Sequence, residues 1–154
     1  MHLKLLVKIA ELPEREHWEQ VVSPRLTGDE EVIESAPHDV KVDILGRAAL
    51  VFPIQCHEHF GLVMIESMAC GTPVIARPQG ASTEVVHDGV TGFDADEVEG
   101  MAQRIDDLDR IHPELCRRRV AAPFSAEAML SGYERIFEAE AVAAEATSLR
   151  LSGI

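Results

Sequence analysis

Basic side chains are scarce: 14 Lys and Arg stand against 27 Asp and Glu in 154 residues, a formal charge of −13. Affinity for a phosphate backbone comes from clustered Lys and Arg. The one basic run, Arg117-Arg118-Arg119, reads as a solvated helix face, so nucleic acid is excluded as a partner. Cysteine is equally thin. Cys56, Cys70 and Cys116 are odd in number and lack metal-ligand spacing. Cys56 ends an apolar run and Cys70 sits inside one, which reads as small core residues in a reducing, cytoplasmic setting. No stretch approaches the roughly 18 to 20 apolar residues that cross a bilayer. The start, "MHLKLLVKIAELPERE", is a short apolar run broken by lysines, a strand rather than a signal peptide. Also missing are the G-x-S-x-G nucleophile elbow, the Gly-Lys-Ser/Thr phosphate loop and the G-x-G-x-x-G turn. In "HEH" (His57, Glu58, His59) neighbours alternate in direction and lack the i, i+4 spacing of a helical zinc motif, so no metal is expected.

What is present suffices for one domain, 1–154, with a core: 46% of the residues are hydrophobic. Apolar runs alternate with segments of helical period. "LKLLVKIA" reads as a strand, and Pro13 opens a helix with Trp18, Val21 and Val22 on one face. "EEVIES" is a second strand. Asp39 is placed to cap a helix whose stripe is Val40, Ile44, Leu45 and Ala48. Ala49–Ile54 reads as a strand buried on both faces. A helix opening near Phe60 or Gly61 ends at Gly71, and "PVIARP" is the fourth strand. In "HDGVTGF", Asp88-Gly89 and Gly92 mark tight turns. A further helix turns Val98, Met101, Ala102, Ile105 and Leu108 inward, while the acids between Asp94 and Asp109 read as solvated. Pro113 starts a short helix, and Ser125 caps a last one carrying Met129, Tyr133, Ile136 and Phe137 on one stripe. Strands separated by helices predict an α/β, mainly parallel sheet with helices on both faces.

Ligands of such sheets bind in loops beyond the carboxyl ends of the strands. "HEHFGLVMIESMACGTPVIA" occupies one such loop. The amides of Gly61, Leu62 and Val63 would point out of the helix start and, with the macrodipole, form an anion site. Glu58 precedes that cluster. Glu66 lies five residues past Gly61, about 7.5 Å along the axis. A carboxylate among Val63, Ile65 and Ala69 wants a polar ligand or a donor, and a ribose diol suits it. A surface position or an internal salt bridge explains Glu66 as well, and spacing leaves the two readings open.

"EHFGLVMIESMACGTPVIA" resembles the E-x7-E signature of the retaining, nucleotide-sugar-dependent glycosyltransferases of the glycosyl transferases group 1 type, which have the GT-B fold. "KVDILGRAALVFPI", "QGASTEVVHDGVTGF" and "FSAEAMLSGYERIF" resemble the segments around it, so the likeness covers nearly the whole chain. It departs at His59 (usually Pro), Ser67 (usually Ala) and Thr83 (commonly Pro). The resemblance implies a Rossmann-like C-terminal half of a GT-B fold, lacking its first strand and helix. It implies that Glu58 contacts the donor sugar, as the catalytic candidate. Amides of Phe60, Gly61 and Leu62 would hold sugar and phosphates, Glu66 the ribose, and Ala36, His38 and Lys41 the base. Gly80 and Glu84 match motif positions too, and a turn glycine and a helix-capping glutamate explain them as well. The implied partners are a nucleoside diphosphate sugar, as substrate rather than cofactor, and a separate N-terminal domain or a second copy. The helix over 125–146 would pack on that N-terminal domain, and the chain alone would not turn over. The alternative is a non-catalytic truncated domain acting in oligomerisation or interaction.

Overall fold

A computed structural model describes residues 2–52 and 58–152, which divide into two compact units, Met1–Arg47 and Ala48–Ile154. In the first, β1 (Lys4–Val7) pairs in parallel with β2 (Glu31–Glu34), Lys4 opposite Glu31 and Val7 opposite Glu34. Between them α1 (Leu12–His17) carries Pro13 in its first turn, where an amide would be unpaired anyway. Glu14 reaches back to accept the Glu11 and Ala10 amides at 3.0 and 2.7 Å, and these hold its carboxyl below the usual range. A π-turn (Trp18–Val22) continues the helix, with Trp18, Val21 and Val22 half-buried as their stripe predicts.

α2 (His38–Leu45) corrects one expectation. Pro37, not Asp39, takes the cap position, and Asp39 lies in the first turn, where a carboxylate favours the positive end of the dipole. Of the predicted stripe Leu45 is buried and Ile44 half-buried, whereas Val40 is exposed and Ala48 lies beyond the helix.

In the second unit β3 (Leu50–Phe52), β4 (Val74–Ala76) and β5 (Gly92–Asp94) form a parallel sheet in that order. Of the strand expected over Ala49–Ile54, Pro53 and Ile54 lie outside the described residues, as do Cys56 and His57. β4 is fully buried, as a strand covered on both faces must be. Gly92 is the clear correction. It is not a turn residue but the first residue of β5, directly opposite Val74. Asp88-Gly89 does form the turn, with Gly89 at φ +71°.

α3 (Leu62–Ala69) buries Met64, Ser67 and Met68 against the core, and Gly71 at φ +88° ends it. Ser67 Oγ donates to the Thr72 carbonyl at 3.3 Å, which satisfies the hydroxyl that stands where the resembled motif usually has alanine. α4 (Ser82–Val85) and α5 (Val98–Ile105) follow. α5 turns Met101 inward, followed by Leu108, with Ile105 half-buried. Val98 and Ala102 are exposed, because the apolar stripe is narrower than their spacing suggests.

Two surface readings also change. On α6 (Pro113–Ala121), Arg117 donates to the Cys70 carbonyl at 3.1 Å, a cation on the negative end of α3. Arg119 lies over the Phe124 ring and donates to the Glu84 carbonyl, so only part of the basic run is a solvated face. Among the acids, Asp107 is half-buried between Arg104 and Arg110. Burial, with Asp88 and Asp96 nearby, raises the Asp94 carboxyl. Cys116 is buried, which raises its thiol, and Cys70 is half-buried.

Ser125 Oγ accepts the Ala128 amide at 3.1 Å and starts α7 (Ala126–Ser152), longer than its expected end at 146. Met129, Tyr133, Ile136 and Phe137 are 56–69% exposed along it. Among the described residues no helix is long and apolar enough to cross a membrane.

Candidate functional site

Glu58 follows β3 in sequence, and α3 opens four residues later with Gly61 as its cap. Gly61 is buried in a left-handed conformation, φ +81° and ψ +38°, which a side chain would strain. Glu58 Oε1 accepts the Gly61 amide at 3.0 Å and the Phe60 amide at 3.2 Å. These two bonds, Gly61 first, hold the Glu58 carboxyl below the usual glutamate range. Two of the amides assigned to a sugar and its phosphates therefore donate to Glu58 itself. The next two, of Leu62 and Val63, donate to no acceptor among the described residues.

The surroundings of Glu66 are more open to solvent than those of a carboxylate sunk among Val63, Ile65 and Ala69 would be. The core face of α3 is Met64, Ser67 and Met68, one turn apart. Val63 and Ala69 are exposed and Ile65 half-buried, so Glu66 is half-buried rather than sunk among apolar neighbours. Its burial by itself does not demand a ligand. Phe60 is 55% exposed and meets the Phe124 ring edge to face at 6.2 Å, and Leu62 is exposed. Ala36, His38 and Lys41 belong to the first unit: Ala36 precedes α2, His38 begins it and Lys41 lies one turn in. Ala36 and Lys41 are half-buried and His38 is exposed.

Two residues at the carboxyl end of β4 escaped sequence reasoning. Arg77 is half-buried, and its Nε has no partner among the described residues. Ala81 donates its amide to the Glu58 carbonyl at 2.8 Å. The only signal was Gly80, legible as a turn glycine but not as a contact.

Residues 30–120 match the sequence pattern of the family described as glycosyl transferases group 1. The N-acetyl-alpha-D-glucosaminyl L-malate synthase of Bacillus anthracis is 30% identical over 117 residues, 71% of this chain and 31% of that protein. A D-inositol 3-phosphate glycosyltransferase from Mycobacterium sp. (strain KMS) is 42% identical over 89 residues, 54% of this chain and 20% of that protein. The sucrose-phosphate synthase of Thermosynechococcus elongatus superposes with a TM-score of 0.69 at 29% identity, covering 90% of this chain and 39% of that one. Anabaena HepE, solved in complex with UDP-glucose, gives 0.63 at 19% identity over 90% and 40%, a likeness of fold. The chain thus spans less than a third of the curated relatives it matches.

Proposed function

This chain belongs to the glycosyl transferases group 1 family, and from that premise we propose that it binds the nucleoside diphosphate sugar donor of a retaining hexosyl transfer. Its fold is of the GT-B kind. The observation that carries the reading is the start of α3, where the Glu58 carboxylate stands just ahead of two amides, of Leu62 and Val63, that have no acceptor among the described residues. HepE, of the same fold, holds UDP-glucose, which supports a donor of that class.

Glu58 uses one oxygen, Oε1, for the Gly61 and Phe60 amides ahead of the helix. Its other oxygen accepts from sugar hydroxyls and fixes the ring. The Leu62 and Val63 amides and the helix dipole take charge from the leaving diphosphate, a stabilisation that needs no reorganisation. Glu66, one turn in, accepts from the ribose diol. No cofactor enters these roles. Transfer to an acceptor calls on a further domain, on the same polypeptide or another, and we place the reaction in the cytoplasm.

Calorimetric titration of the chain with UDP, GDP, ADP and their sugars tests this. At least one donor is expected to bind with a millimolar or tighter Kd, and Glu66→Ala to weaken it about tenfold, the loss of one good hydrogen bond to a charged group. A folded chain that gives no heat with any of them overturns the reading.

A second reading, in which the chain acts by association, is favoured by α7. Its exposed stripe includes Tyr133 and Phe137, stacked at 6.3 Å. Contiguous apolar surface of this kind marks an interface. We propose that in isolation it pairs with a second copy through this stripe. Light scattering is expected to show a dimer that Phe137→Glu converts to monomer, and a wild-type monomer at high concentration would refute the pairing.

A further inference from the structure

β3 and β4 are adjacent parallel strands, and each is followed in sequence by a segment that bears on the site. One carries Glu58, and the other is the turn Arg77–Ala81. We propose that Gly80 is a positioning residue: having no side chain, it lets the turn after β4 lock onto the backbone of Glu58 and so fix where that carboxylate stands.

The contact is backbone against backbone. Ala81 donates to the Glu58 carbonyl at 2.8 Å. A Cβ on Gly80 would overlap that carbonyl oxygen and stand 3.0 Å from the Glu58 nitrogen, so neither side can yield by rotating a side chain. The turn itself is braced from within. Ser82 Oγ is buried, accepts the Gln79 amide at 2.9 Å, and shares its one proton between the carbonyls of Arg77 and Gln79. The same turn underlies Gly61, whose Cβ position lies 3.8 Å from Ala81 Cβ and 3.7 Å from Val85 Cγ2. Glu58 is thereby held at two points. Its carbonyl is bound by Ala81, and its carboxylate by the Gly61 and Phe60 amides.

The ordinary explanation of Gly80 is its backbone, at φ +59°. Gly89 separates the two, since it has φ +71° and nothing within 4 Å of its Cβ position. Gly89→Ala imposes left-handed strain without the contact, and Gly80→Ala imposes both. Ala81→Pro is the third variant. The φ of −63° at this position suits the proline ring, and the change removes the amide that binds Glu58.

The consequence for catalysis rests on the proposed donor site, but the first measurement does not. In the 154-residue chain, nuclear magnetic resonance titration of the Glu58 carboxyl is expected to show the low wild-type value. That value should persist in Gly89→Ala and rise toward the ordinary glutamate range in Gly80→Ala and Ala81→Pro. Calorimetry with UDP-glucose and UDP then reads the affinity that the sugar adds. That increment is expected to fall about tenfold in Gly80→Ala and Ala81→Pro while UDP affinity holds, because only the sugar meets Glu58. Should Gly80→Ala not fold, Ala81→Pro decides. A wild-type Glu58 titration in the folded variants, or an equal rise in Gly89→Ala, overturns the positioning role. A wild-type chain that binds neither ligand sinks the donor reading while the titration still judges Gly80.

Discussion

Gly92→Ala is expected to cost the second unit about 3 kcal/mol or more, at the upper end of what overpacking costs. Gly92 faces Val74 across the β4–β5 ladder. A Cβ there would overlap the Val74 carbonyl oxygen and lie 2.8 Å from its carbon and 3.0 Å from its nitrogen. Most overpacked sites relax by moving a side chain, but here the obstacle is main chain in a strand buried on both faces. The strands can only separate, which breaks the register that brings Ala76 opposite Asp94. A domain stable by only about 5–15 kcal/mol does not absorb that easily. Thermal unfolding followed by circular dichroism should show a collapsed or much lowered transition. An unchanged midpoint would mean that β5 does not pair as described.

The next largest loss is expected from Met68→Ala, and close behind it Met64→Ala. Both side chains are fully buried, one turn apart on the face of α3 that meets the core. Removing a buried methionine costs roughly 2–5 kcal/mol, from lost transfer energy and the cavity left behind. The pair belongs to one core cluster a single turn apart, so the double variant should depart from the sum of the single ones. Urea unfolding of the three variants measures this, as a fall in midpoint at unchanged slope. Because α3 presents the Leu62 and Val63 amides, donor affinity should fall only as far as the helix is unfolded. A stable Met68→Ala chain would place the buried face of α3 elsewhere.

Both cases show where periodicity stops being informative. From Leu62 to Ala69 only Glu66 and Ser67 are polar, too few to define a polar face, so the pattern alone could not separate Met64 and Met68, inside, from Val63 and Ala69, outside. Spacing consequently left Glu66 open between a ligand-facing and a surface position, and the structure makes it half-buried. Gly92 sits in "GVTGF" among genuine turn residues, and a three-residue strand is too short to show an alternation. The basic run looked solvated because its acceptors, the carbonyls of Cys70 and Glu84, are 47 and 35 residues distant.

Composition, run lengths and the long motif by themselves determined the α/β class, the parallel strands and the family. They also placed a helix start after Glu58, since apolar runs and turn residues act on their immediate neighbours. Only the tertiary structure decided that Glu58 accepts the Phe60 and Gly61 amides ahead of that helix and that Gly80 abuts Glu58. It alone put Gly92 inside the sheet. Each of these is a contact of bare backbone with backbone, or of a side chain with its own loop, and such packing leaves no periodic trace along the chain.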